Sequence, residues 1–329
     1  MKRIDFENHF YDISVIEALA ERTEYPYYRK DTNIINWAEG LDMPQGVLLP
    51  MLLEVGEKRL KLMDELKIDT AVISCSPGAE QLDVNVSIDV CKKTNDVLYR
   101  VTQAYPRRFI GSAILPVKNI DAACEELERC VKELGFVAWH AHSNFGHASP
   151  DELKYRPIFK KAAELGVYVY LHPQLPNMDR VCDLGFTFAG PGLGFTMDTV
   201  ITILRMIATG LFDEIPNLNV LLGHLGEGIP FLLDRIDNRM NFLPNAKLSN
   251  KQLPSYYFKK NIMVTTSGNM SPEAFKCTKE VLGIDRILFG SDHPFENAAD
   301  MVKFVDNLSI TDDEREMMYY KNAKKLNVF

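Results

Sequence analysis

Arg3-Ile-Asp-Phe-Glu7-Asn-His9 has two counterparts further along the chain, Val167-Tyr-Val-Tyr-Leu-His172 and Arg286-Ile-Leu-Phe-Gly-Ser-Asp292. Each is a short apolar run closed by a residue that can ligate a metal. Continuous apolar runs of this length read as buried parallel strands. In a (β/α)8 barrel the C-terminal ends of the strands converge on one mouth. Glu7, His9, His172 and Asp292 are far apart in sequence, yet there they would form one set of two carboxylates and two imidazoles. Such a set suits a divalent ion with open coordination positions. The three runs therefore predict an α/β chain of the TIM-barrel type with a metal centre at its mouth.

The pattern extends from end to end. Strands are expected at Arg3–Glu7, Thr70–Ser74, Phe109–Leu115, Phe136–Ala141, Val167–His172, Asn219–Gly223, Ile262–Thr266 and Arg286–Gly290. Helical patterns lie between them at Val55–Leu66, Asp83–Ala104, Ile120–Leu134, Lys154–Leu165, Thr199–Ile207, Pro230–Phe242, Pro272–Val281 and Asn297–Leu308. Eight strands, each followed by helical sequence, is the barrel's count. The rival is an open doubly wound sheet, but its phosphate-binding glycine fingerprint is missing. Glu-Leu-Gly or a close relative precedes four strands, at 65–69, 133–136, 164–167 and 281–285, and the glycine in three of them fits a left-handed helix cap. Residues from about 20 to 54, including Tyr25-Pro-Tyr-Tyr28, interrupt the first β–α step and read as a cap over the mouth. Residues 1–329 read as one domain.

Composition excludes several classes. The 329 residues are 46% hydrophobic and 25% charged, with a net charge of -8, a soluble globular profile without the basic patch of a nucleic-acid binder. No run is long enough to span a bilayer. Six scattered cysteines without a CxxC pair read as free thiols of a reducing compartment, so the expectation is cytoplasmic.

Each candidate has a plainer alternative. Glu7 and His9 stand two apart, so in extended chain they share a face, though both are also compatible with a solvated loop. His172, followed by Pro173, also fits a satisfied core histidine, and Asp292 also fits a helix cap. In Asn219-Val-Leu-Leu-Gly-His224-Leu-Gly-Glu227 a strand ends, His224 enters the mouth, and Glu227 is close enough to fix its tautomer. Arg235 reads either as a carboxylate fork at the mouth or as a surface ion pair. Trp139-His140-Ala141-His142 is a second His-x-His strand end, with His147 close behind, and competes for the ligand role. His293 points away from its neighbour Asp292 and reads as pocket lining.

Together these motifs resemble the amidohydrolase superfamily, and within it the metal-dependent hydroxybenzoate decarboxylases of the gamma-resorcylate and 2,3-dihydroxybenzoate type. The resemblance covers nearly the whole chain. It rests on Glu7-Asn-His9, Tyr155-Arg-Pro-Ile-Phe, Leu171-His172-Pro, Gly223-His224-Leu-Gly-Glu227-Gly, Asp234-Arg235-Ile-Asp237, Leu288-Phe-Gly-Ser-Asp292-His-Pro-Phe-Glu296 and Asn322-Ala323. It implies Glu7, His9, His172 and Asp292 as ligands of one divalent ion, Zn2+ or Mn2+, and His140 and His142 as pocket wall. It also implies His224 and Glu227 as a pair beside the substrate, and Arg235 as a substrate contact. Hydrolytic relatives carry His-x-His on strand one and a carboxylated lysine on strand four. Here Glu7 replaces the first histidine and strand four has no lysine, which favours one metal and decarboxylation. His293 stands where such decarboxylases carry a tryptophan. The implied reaction converts a small aromatic carboxylic acid to CO2 and a phenol. Asp292 would be the proton donor, kept protonated by desolvation beside Glu7; His224 with Glu227 would polarise or deprotonate the phenol. Phe295, with Tyr25–Tyr28, would sandwich the ring, and His293 would line the pocket. The alternative is a mononuclear hydrolase of a lactone or amide; a catalytically dead barrel is a third. The resemblance further implies a homodimer or homotetramer.

Overall fold

Strand β1 (Ile4–Phe10) begins a series that continues with β2 (Tyr27–Arg29), β3 (Ile34–Ala38), β4 (Leu41–Pro44), β5 (Thr70–Cys75), β6 (Phe109–Ala113), β7 (Ala138–His142), β8 (Tyr168–His172), β9 (Val220–Leu222), β10 (Ile262–Thr265) and β11 (Ile287–Leu288). The computed structural model describes residues 1–240, 242 and 247–328. Strands β1 and β5–β11 form one eight-stranded sheet in chain order, with every pairing parallel. Three backbone bonds draw the last strand back to the first: Phe6 N–H to Phe289 O at 2.9 Å, Asp292 N–H to Glu7 O at 2.9 Å, and His9 N–H to His293 O at 2.7 Å. The expected (β/α)8 barrel is present, with all eight strands where the apolar runs place them.

The two faces of the strands separate cleanly. Val72, Ala138, Tyr168, Tyr170, Leu221, Met263 and Leu288 pack together inside the barrel, joined by Ile4 and Phe6. Their neighbours Ala71, Ile73, Trp139, Ala141, Val169 and Leu171 face the helices in the larger apolar core. Strand β1 departs from simple alternation. Its register with β5 slips between Asp5 and Asn8, a β-bulge. One extra residue reverses which side chains point inward. Ile4 and Phe6 fill the interior below the bulge, and Glu7 and His9 turn inward above it.

The eight expected helices are present, among them Val84–Ala104, Ile120–Lys132 and Pro272–Leu282. Local chemistry explains their starts: Asn119 and Ser271 accept backbone N–H bonds from Ala122 and Ala274, as N-caps do. The helix expected over 230–242 runs Ile229–Met240, and position 241 lies outside the described residues. Helices Ile13–Ala20, Pro254–Lys260 and Asp312–Tyr319 were not anticipated, although Thr311 and Glu314 form a capping box legible in sequence. At the helix–strand joints, Gly135 and Gly166 have φ of 72° and 70°, and Lys67 supplies 55° where the glycine is missing. Gly283 differs from the expected left-handed cap, because its φ of 90° and ψ of 148° lie in a region only glycine populates readily.

Within the segment 20–54, β2, β3 and β4 form an antiparallel three-stranded sheet. All six cysteines are free. Among the described residues, no helix is long and apolar enough to cross a membrane.

Candidate metal centre and cavity

Glu7, His9, His172 and Asp292 come together at the barrel mouth, all buried, with one ligand atom of each within 4.8 Å of the others. The seam between β11 and β1 sets this geometry. Asp292 has a φ of 60°, unusual for a non-glycine residue, and its N–H binds the carbonyl of Glu7. Its carboxylate thus sits beside the two β1 donors.

The lone pairs left over point to a cation. Glu7 Oε1, His9 Nε2 and Asp292 Oδ1 are buried without hydrogen-bond partners among the described residues. Orphaned buried polar atoms are costly, and here several face one point. Glu7 Oε2 accepts from Thr265 Oγ1 at 2.8 Å; Thr265 contacts Ser267 at 2.8 Å, and Ser267 accepts the His224 N–H at 3.1 Å. His172 Nδ1 lies 2.8 Å from the Pro173 carbonyl, so it donates there and leaves Nε2 free, the arrangement of metal-ligating histidines. Arg59 is buried and donates to the His9 carbonyl at 2.7 Å and the Met51 carbonyl at 3.1 Å. It pins the end of β1. Thr265, Ser267 and Arg59 escaped sequence reading, although the polar run Thr265-Thr-Ser-Gly268 at a strand end was the available signal.

His224 and Glu227 pair as expected, with Nδ1 and Oε1 2.6 Å apart, and Thr196 donates to the other oxygen of Glu227 at 2.7 Å. The pairing depends on a strained turn. Residues 224 to 228 all have positive φ, from 53° to 81°, and three are not glycine. Such conformations cost about 1–2 kcal/mol each. They curl Glu227 back under the imidazole. Gly268, at φ 61°, faces the ring so closely that an added Cβ would lie 2.5 Å from His224 Cδ2.

Electrostatics separates the acids. Burial and then the adjacent Asp292 carboxylate raise Glu7. Burial also opposes charge on Asp292, but His224 and His9 outweigh it and hold its carboxyl well below the ordinary range. This balance runs against the expectation that desolvation keeps Asp292 protonated, since its two imidazole neighbours favour the charged carboxylate. His224 moves the other way. Burial disfavours its charge, but Glu227 and Asp292 raise it well above the usual imidazole value and so favour the imidazolium.

Above the ligands lies a cavity of about 290 Å³. His172, His224, Asp292 and Phe295 line its floor, Phe186 and Phe195 one wall, and Trp37 of β3 and Met43 of β4 its roof. Phe295 also stands edge-on to His9, 5.2 Å between ring centroids. Other expected members are elsewhere. Tyr25 is 45% exposed, and Tyr25–Tyr28 line no part of the cavity; Trp37 and Met43 of the same small sheet line it instead. His293 is buried behind the wall, where burial and then Arg59 push its imidazole down to about 3. Arg235 is exposed on the helix Ile229–Met240 and does not reach the cavity. His140 and His142 are buried inside the barrel, while His147 is exposed. Glu80, not anticipated at all, is fully buried against His142.

The family described as "Amidohydrolase" matches residues 4–326. The gamma-resorcylate decarboxylase of Rhizobium sp. (strain MTP-10005) is 37% identical over 84% of this chain and 88% of its own length. A crystal structure of 2,6-dihydroxybenzoate decarboxylase complexed with 2,6-dihydroxybenzoate superposes with a TM-score of 0.86 at 33% identity, covering 99% of this chain and 98% of that one. The dihydroxybenzoic acid decarboxylase of Polaromonas sp. JS666, solved with manganese and 2-nitroresorcinol, gives a TM-score of 0.86 at 31% identity over 99% of this chain and 96% of that one.

Proposed function

We propose that the chain, which belongs to the amidohydrolase family, is a metal-dependent, non-oxidative carboxy-lyase that converts a hydroxybenzoate-type acid to CO2 and a phenol. The observation that carries this reading is the set of unpartnered buried donors from Glu7, His9, His172 and Asp292 opening into an aromatic-walled cavity. The relatives with the same fold act on, or are bound to, dihydroxybenzoates and a nitroresorcinol. Glu7, His9, His172 and Asp292 would hold one divalent ion, Mn2+ or Zn2+, which when bound supplies Lewis-acid polarisation of the acid's carboxylate and ortho-hydroxyl oxygens.

The protein's own groups then divide the work. Phe186, Phe195, Phe295 and Trp37 bracket the ring, with Trp37 and Met43 of the segment 20–54 acting as a cap. The bond to the carboxyl group breaks with its electron pair left on the ring carbon, and that carbon takes one proton. Asp292 faces the ligand set with Oδ1, 3.0 Å from His9 Nε2, and turns Oδ2 toward His224 Nε2 at 3.9 Å. One oxygen would serve the ion and the other the proton. Asp292 rests ionised, so the proton starts on the His224 imidazolium, passes to Asp292 and goes on to carbon. Glu227 keeps His224 charged for that purpose. Arg235 stays on the surface and has no part in its own chain's cavity.

Six free cysteines fit a cytoplasmic protein, and the reading includes a homodimer or homotetramer, against which a solution mass near the single-chain 37.4 kDa would count. The test of activity is incubation of Mn2+- or Zn2+-loaded protein with a panel of hydroxybenzoates, followed by ultraviolet loss of the acid. Conversion to the phenol, abolished by chelation, is expected. Silence across the panel with metal bound would remove the reading.

A further inference from the structure

A second group of donors lies one step deeper in the barrel than the first. His140 projects inward from β7, two residues before the strand end, in register with Tyr170 rather than His172. It is 1% exposed, and neither ring nitrogen has a hydrogen-bond partner among the described residues. An imidazole left so, with a donor and an acceptor both buried and unsatisfied, is costly. Its ring centroid lies 5.6 Å from that of His9 and 5.0 Å from that of His172. The three imidazoles bring a nitrogen each within 4.8 Å of the others. Tyr170 lies flat against His140, with centroids 5.2 Å and planes 7° apart.

We propose that His140 is a further metal ligand, and that the centre offers two overlapping donor sets sharing His9 and His172. The proposal rests on the reading of Glu7, His9, His172 and Asp292 as the metal site. One set adds the carboxylates of Glu7 and Asp292; the other adds the imidazole of His140. Nitrogens around a tetrahedral ion with bonds of about 2.0–2.1 Å stand about 3.4 Å apart, so modest ring rotations close the deeper set.

The two sets suit different ions. Three neutral imidazoles with a fourth position open suit Zn2+, whereas paired carboxylates suit Mn2+. Zn2+ drawn toward His140 leaves Glu7 and Asp292 less engaged. Mn2+ held by the carboxylates leaves His140 free. Behind the deeper set, His142 touches the fully buried carboxyl group of Glu80.

The experiment is titration of metal-free wild-type protein and of His140→Phe, which retains a ring against Tyr170, with Zn2+ and separately with Mn2+. X-ray absorption spectra of the two loaded wild-type forms accompany it. The variant is expected to lose Zn2+ affinity by at least about tenfold, with Mn2+ affinity nearly unchanged. The spectra are expected to show three imidazoles around zinc and two around manganese. Equal losses for both ions, no loss for either, or two imidazoles around both would overturn the role of His140 while leaving the mixed site standing. Wild-type protein that binds neither ion would overturn the mixed site as well. The spectra need no variant and decide the matter if His140→Phe does not fold.

Discussion

His9 Nε2 and Asp292 Oδ1 stand 3.0 Å apart inside the barrel mouth, and neither is aligned in a hydrogen bond with the other or with anything else. Two polar atoms at that separation normally share a proton along the line between them. Here they instead converge on a point also faced by Glu7 and His172. A cation at that point would relieve the arrangement and leave Oδ2, the oxygen turned toward His224, uncommitted.

Asp292→Asn tests the division between the two oxygens. The amide retains an oxygen for the ion but cannot carry the proton, so stoichiometric metal is expected with kcat reduced at least about 10²-fold. Metal analysis beside steady-state turnover separates the roles. Turnover near that of wild type would remove Asp292 as the proton donor.

Glu227→Gln removes the largest favourable charge acting on His224. In the proposed mechanism the imidazolium is the working form, so activity should fall as pH rises through the His224 pKa. Without the carboxylate that pKa drops, and the alkaline limb of the kcat profile is expected to move to lower pH. A profile of unchanged shape with only a lower plateau would assign Glu227 a purely structural part.

Trp37→Ala opens the cavity roof at a distance from the ligands. Loss of one aromatic wall is worth about 1–1.5 kcal/mol, so KM for a hydroxybenzoate should rise about tenfold while kcat changes less. An equal fall in kcat with KM unaltered would place Trp37 in the chemistry instead of the cap.

Acid should destabilise the metal-free protein. His293 is held neutral down to about 3 by burial and Arg59, against about 6.5 in the unfolded chain. Its contribution is fully present above pH 6.5 and is lost as pH falls toward 3, because the unfolded state binds the proton first. Chemical denaturation of the metal-free protein across that window should show stability falling with pH, and His293→Gln should flatten the slope. An unchanged slope would mean that His293 is not the group responsible.

Much of the site was legible because its members are chemically conspicuous at strand ends: Glu7, His9, His172, His224 and Asp292 each close an apolar run. The supporting residues were not. Thr265 and Arg59 look ordinary in sequence, and only contact with Glu7 and with the His9 carbonyl gives them a part. Tyr25–Tyr28 were the conspicuous aromatics of the cap, yet the small sheet turns Trp37 and Met43 into the cavity.

By itself the sequence determined the barrel, because the alternation of apolar runs with helical periods is local and repeats eight times. It also determined which residue types arrive at the mouth. Tertiary structure decided how they act. The bulge in β1 reverses inward-facing parity between Phe6 and Glu7, and such a slip depends on pairing with β5 rather than on the local pattern. Charge was decided the same way. Burial alone would raise the Asp292 carboxyl, but His224 from the turn after β9 and His9 from β1 lower it, since pKa depends on neighbours in space that no spacing in the chain encodes.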